Sequence, residues 1–204
     1  MGSITTTLSI QFLGTFLGLS AAASVLLKLR EHKPAVKIVV ALLCAVLLLI
    51  PIDGLFIFEY FISLVGHLSI TTIVLLAAHL FEQPAKRRVI KASDKLVTYA
   101  TIVAASVILY PTAYGLFRFD AYDLGFGSSA FIAALMLLAI LITILRRNLT
   151  SLIIVVSVLA YSLHLLPSNN LWDYLIDPLV AIYAIVRTMI LLFQKIIKPL
   201  RGSP

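Results

Sequence analysis

Apolar stretches of membrane-crossing length follow one another with only short interruptions, and this succession limits the fold more than any motif does. Cutting the chain where charges, Pro and Gly cluster leaves seven runs, roughly residues 5–28, 36–52, 55–81, 96–116, 128–145, 149–166 and 178–194. A bilayer crossing takes ~20 mostly apolar residues, so these runs use nearly all of the 204 available. The composition agrees: 61% hydrophobic and 12% charged residues against ~45–50% and ~25% in soluble domains. The expected fold class is all-α, a polytopic membrane bundle of about seven transmembrane helices forming one domain. Any chemistry must then be carried by the helices and their short connections.

The net charge of +7 would suggest nucleic acid in a soluble chain, but here the charges read as topology signals. All of the basic residues except Arg118 and Arg187 fall in four segments: Lys28 to Lys37, Lys86 to Lys95, Arg146 with Arg147, and Lys195 to Arg201. The positive-inside rule makes these segments cytoplasmic, with the N-terminus outside and the C-terminus inside. A multi-pass protein of a bacterial-type cytoplasmic membrane is the expected setting, with lipid as the surrounding partner and no nucleic acid. The first run has no basic residue before it and four just after it, so it is read as a retained helix and not a cleavable signal. Residues 82–95 form the longest cytoplasmic connection, which either serves only to orient the chain or lies as a short basic helix on anionic headgroups.

Three outward-running helices end alike. Pro51, Gly54, Leu55, Phe56, Glu59 and Tyr60 parallel Pro111, Gly115, Leu116, Phe117, Asp120 and Tyr122, and then Pro167, Asn170, Leu171, Trp172, Asp173 and Tyr174. This order suggests three helical-hairpin repeats plus one extra helix; the alternative is the ordinary collection of Pro, Gly, aromatics and acids at an outer interface.

In the third run Glu59, Ser63, His67 and Thr71 recur every four residues and would form one polar stripe on a continuous helix. Ionisable groups at bilayer depth cost ~2.5–3.5 kcal/mol on translocon scales, so the stripe is expected to face the bundle interior. Arg187, in the seventh run, is expected to lean outward and pair with Glu59. Tyr110, Tyr114, Tyr161, His164 and Tyr183, with Arg118 above them, would complete an outward-facing polar cavity, though interfacial Tyr is commonly an anchor. Asp177 followed by Pro178 reads as a helix N-cap with Pro at the first helical position.

A metal is not expected. The grouping with suitable donors is Asp120, Asp123 and His164, with Asp173 nearby in the chain's outer loops, and the Asp-x-x-Asp spacing is a weak signal. Nothing specifies a cofactor. Gly14, Gly18 and Ala22 follow small-x-x-x-small spacing, which permits close helix approach within the chain, in a homo-oligomer or against a membrane-protein partner. The lone Cys44 excludes an intramolecular disulfide. The chain lacks the Gly-x-Ser-x-Gly elbow and the His-Glu-x-x-His zinc motif, and its cytoplasmic connections between spans contain no Gly for a phosphate loop.

Two functions follow. The first is a non-catalytic membrane module whose cavity, lined by Glu59, His67, Arg187, Arg118, Tyr110, Tyr114 and Tyr183, binds or helps move a small solute, ion or lipid headgroup, or which serves as an accessory subunit. The second is an outer-face enzyme acting on a lipid or lipid-linked substrate, with Asp120, Asp123 and Asp173 as acids, bases or metal ligands.

Overall fold

The computed structural model describes residues 2–27, 32–82, 90–145 and 148–200. Lys28, Arg30, Lys86, Arg87, Arg88, Arg146, Arg147 and Arg201, and so most of the proposed basic surface helix, lie outside the described residues. The described chain is all-helical apart from one two-stranded hairpin. Its order is α1 (Gly2–Leu26), α2 (Pro34–Leu48), β1 (Pro51–Ile52), β2 (Leu55–Phe56), α3 (Ile57–Val65), α4 (Ile70–Glu82), α5 (Ala92–Ala113), a 3-10 turn (Tyr122–Gly125), α6 (Ser129–Ile144), α7 (Asn148–Ser162), α8 (Leu171–Leu175) and α9 (Pro178–Leu200). Two helical stretches, Thr6–Leu26 and Ala92–Ala113, are long and apolar enough to cross a membrane; α2, α4, α6, α7 and α9 supply shorter apolar ones.

Local chemistry sets the helix starts. Pro34 opens α2, where its missing N–H costs nothing. The Ser128 hydroxyl accepts from Phe131 N at the start of α6, and the Asn170 side chain accepts from Trp172 N at the start of α8. Between α2 and α3, Asp53 and Gly54 both have positive φ (48° and 86°) and close the antiparallel pairing of Ile52 with Leu55. An Asp-Gly pair suits such a hairpin turn because Gly carries no Cβ penalty there.

The core lies where α4, α5, α7, α8 and α9 meet, around Ile70, Tyr99, Ile102, Val158, Tyr174 and Ala184. α1 packs on α4 and α2, and α6 packs on α7. Hydroxyls inside this apolar framework bond to carbonyls of their own helix: Thr98 to Asp94 O, Ser106 to Ile102 O and Thr112 to Ile108 O. Others bridge helices, Thr98 with Thr150 at 2.8 Å and Thr143 with Ser151 at 2.7 Å. Outward-pointing positions are apolar, as with Ile38, Leu42, Leu43 and Val46 on α2 and Leu137, Ile140 and Ile144 on α6.

The run 55–81 is not one helix. It breaks after α3 at Gly66, whose φ of 86° is a left-handed conformation that favours glycine, and restarts at Ile70. The expected stripe is thereby split. Glu59 and Ser63 stay on α3, His67 falls in the break and is exposed, and Thr71 is buried on α4. The three similar helix ends are also built differently: the first is the β-hairpin, Pro111 of the second sits inside the last turns of α5, and Pro167 of the third lies in a loop before the short helix α8.

Candidate functional site

The break in the third run is held by two distant side chains. Gln11 of α1, fully buried, receives Leu68 N at 2.8 Å on its Oε1 and donates Nε2 to Leu68 O at 3.2 Å, replacing both helical bonds the unwound residue has lost. Asp177 completes the repair. Its Oδ1 accepts from Val180 N at 2.8 Å, as an N-cap of α9 should. Its Oδ2 accepts from Ser69 N at 2.8 Å, from Ser69 Oγ at 2.7 Å and from Thr72 Oγ1. Ser69 Oγ in turn accepts from Thr72 N at 3.2 Å in the first turn of α4. One carboxyl therefore caps two helices, where the positive ends of both dipoles favour it.

This shared cap sets α4 and α9 to the same starting level. His79 lies ten residues past Ser69 and Arg187 ten past Asp177, so each is ~15 Å along its helix at 1.5 Å per residue. Arg187 is accordingly an electrostatic neighbour of His79, together with Lys95 and Glu82. It also neighbours the Tyr99 hydroxyl, and the Tyr99 and Tyr183 rings meet edge to face at 5.6 Å. Glu82 is engaged through both oxygens, accepting from Lys95 Nζ and from Ile90 N at 3.1 Å. Among the described residues the buried Arg187 Nε has no acceptor.

These groups form one end of a cavity of about 970 Å³. Its walls are apolar: Gly14, Gly18, Ala22 and Val25 of α1, Leu48 of α2, Phe61 of α3, and Leu75, Leu76 and Ala78 of α4. Thr72, Tyr183 and Arg187 connect it to the shared cap and to the polar end. A mostly apolar cleft with a few convergent polar groups, at the upper part of the ~300–1,000 Å³ range, has the usual composition of a ligand pocket.

The expected outward cavity does not assemble from the residues assigned to it. Arg187 and Tyr183 line the observed cavity, but Glu59 and His67 do not. Glu59 accepts from Phe56 N at 2.7 Å and caps α3, so the Glu59 to Arg187 pair is not formed. The pairing fails because the break resets depth along the third run, leaving Arg187 level with His79. Tyr110 packs on the main core, while Tyr114 and Arg118 are exposed. Gly14 and Gly18 face α4 of the same chain, meeting Leu68 and Ile73, and Leu76 respectively.

Two of the candidate acids, Asp120 and Asp173, are occupied by structure. Asp173 Oδ2 accepts from Tyr122 OH at 3.0 Å and from Ser168 Oγ, and Asp120 Oδ1 accepts from Tyr122 N at 2.8 Å. Asn170 donates to Tyr122 O at 2.9 Å, and Trp172 Nε1 to Ala121 O at 2.8 Å, locking the second and third helix ends together. Gly125 is required here, since an added Cβ would fall 1.7 Å from Asn170 Oδ1. Burial and then the bond to Asp173 push the Tyr122 hydroxyl up to about 12. Burial raises Tyr174 as well, although its hydroxyl bonds the Leu166 backbone in both directions. Asp123 and His164 are exposed, and His164 is held at φ 52°. Among the described residues no cluster of three or more His, Cys, Asp or Glu is arranged to hold a metal.

Four residues that line this cavity, His79, Glu82, Lys95 and Tyr99, and two that hold the helix break beside it, Gln11 and Ser69, were not singled out as a site by sequence reasoning. A signal for most of them exists in the spacing. His79 with Glu82, Lys95 with Tyr99, and Tyr183 with Arg187 are three polar pairs at i,i+3 or i,i+4, each on one helix face. Comparison with known protein families, with curated proteins and with solved structures finds no match.

Proposed function

We propose that the chain is a seven-pass membrane protein that binds one lipid-like amphiphile in the cavity between α1, α4, α5 and α9, without transforming it. The observation that carries this reading is the uneven lining of the cavity: mostly apolar walls, with the ionisable groups His79, Glu82, Lys95 and Arg187 gathered in one cluster. An amphiphile has the same distribution of chemistry, and matching it buries hydrocarbon while leaving the polar group a set of partners.

The seven-pass arrangement is supported by the apolar, outward-facing positions of α2, α5, α6, α7 and α9. Exposed apolar area on this scale is unfavourable in water and ordinary against lipid. The third pass is then the broken pair α3 and α4, which a bilayer tolerates because Gln11 and Asp177 satisfy the unwound backbone. The positive-inside pattern assigns the Glu82, Lys95 and Arg187 end of the cavity to the cytoplasmic side.

The test is native mass spectrometry of the purified protein released from detergent. The wild type should retain one lipid per chain. Gly18→Phe, which projects a ring into the cavity from a position whose nearest neighbour is Leu76 at 3.7 Å, should lose it. Equal retention by both proteins would remove the cavity from the argument. Thiol accessibility of single cysteines placed in the connections checks the topology, with those at Lys91 and Asp53 expected on opposite sides.

A further inference from the structure

We infer that the amphiphile is an anionic phospholipid whose phosphate is held by Arg187, with Lys95 and the Tyr99 and Tyr183 hydroxyls around it. This rests on the cavity reading and adds the headgroup class.

Charge and hydrogen-bond supply select the headgroup. Glu82 is the acid of the cluster, and both of its oxygens are already taken, by Lys95 and by Ile90 N. Among the described residues of the cluster, that leaves Arg187 without a carboxylate of its own. Its Nε is buried without an acceptor among the described residues, and the charged groups that act with it on His79 are Lys95 and Glu82, so the cluster holds two permanent cations to one carboxylate. A guanidinium placed at this depth without an anion is costly, and a bound anion removes the penalty.

The surrounding groups restrict which anion fits. The Arg187 and Lys95 side chains donate only, and the Tyr99 and Tyr183 hydroxyls add two more donors. A phosphate offers several acceptor oxygens to such a set, and an arginine fork engages two of them at once. A zwitterionic headgroup would bring a further ammonium beside two cations. A carboxylate would leave part of the donor set unused. The acyl chains would lie toward Gly14, Leu68 and Leu75 in the apolar part of the cavity. Lipids of this charge are concentrated in the cytoplasmic leaflet, the side to which the charge map assigns the Lys95 end of the cavity.

The experiment is a competition for retention in detergent, read by native mass spectrometry, among dioleoyl phosphatidic acid, dioleoyl phosphatidylcholine and oleate, with inorganic phosphate added in a separate arm. The wild type should retain phosphatidic acid at least ~10-fold over phosphatidylcholine and over oleate, a difference of ~1.4 kcal/mol. Arg187→Gln should bind phosphatidylcholine as the wild type does and lose the preference. Arg187→Lys should keep part of it. Should Arg187→Gln fail to fold, the ring-preserving pair Tyr99→Phe with Tyr183→Phe should lower the preference several-fold in a folded protein. Equal retention of phosphatidic acid and phosphatidylcholine by the wild type would overturn the headgroup assignment while leaving the cavity reading standing. Preference for oleate would overturn the phosphate, and displacement of phosphatidic acid by equimolar inorganic phosphate would overturn the lipid as its source. Failure of every lipid to bind would overturn both readings.

Discussion

Replacing Asp177 with Ala should unlock two helices at once. The carboxyl is 5% exposed and accepts from two backbone amides, Ser69 N and Val180 N, and from the hydroxyls of Ser69 and Thr72. The hydroxyls can rotate toward one another, being 3.3 Å apart, so they add little to the loss. The amides cannot, and each buried donor left without an acceptor costs ~1–3 kcal/mol. The sum is ~2–6 kcal/mol, and at ~2–4 °C per kcal/mol for a chain of this size the unfolding midpoint should fall by roughly 4–24 °C. Cys44, the single cysteine and buried, serves as reporter: a maleimide dye that fluoresces on reaction follows unfolding in detergent. Hydrogen exchange should rise at Ser69 and Val180 before it rises in α6. Asp177→Asn should be milder, because its oxygen can still cap Val180 while its amide opposes the Ser69 donor. A midpoint within 2 °C of wild type for Asp177→Ala, with unchanged exchange at Ser69, would refute the shared-cap argument.

Gln11→Leu keeps the apolar volume but strands both the N–H and the C=O of Leu68; it should cost ~2–6 kcal/mol, visible as faster exchange of the Leu68 amide. Gly125→Ala should force Asn170 out of its bonds to Tyr122 O and Trp172 N and lower the midpoint by several degrees, whereas Gly18→Ala, with Leu76 at 3.7 Å, should be nearly neutral in the same assay. Tyr122 has its hydroxyl raised to about 12 by burial and by Asp173, above the ordinary ~10. Because the folded value exceeds the unfolded one, the neutral hydroxyl's contribution to stability is complete below pH ~10 and is lost as pH rises from ~10 to ~12. Asp173→Asn should bring the Tyr122 titration down toward the ordinary value, as read from tyrosine absorbance against a Tyr122→Phe control; an unmoved titration would exclude the coupling.

Much of the framework was legible because it depends on near neighbours. The apolar runs correspond to the helices and to one helix pair, Asp177 with Pro178 marks the start of α9, and Asp53 with Gly54 marks a turn, since each signal lies within a few residues of the structure it specifies. The site was less legible. Extending a four-residue period from Glu59 to Thr71 presumes an unbroken helix, and Gly66 alone does not announce a break, because an isolated glycine is tolerated within a helix. The break becomes favourable only with acceptors and donors supplied by Gln11 and Asp177, which lie 57 and 108 residues away from the backbone they satisfy. The sequence by itself determined the apolar runs, the one-sided distribution of charge and the local caps. The tertiary structure decided which carboxyl starts α4, and therefore that Arg187 stands beside His79 and not beside Glu59. The physical reason is that local signals act through covalent neighbours, whereas depth along a broken helix is set by hydrogen bonds between segments that only folding brings together.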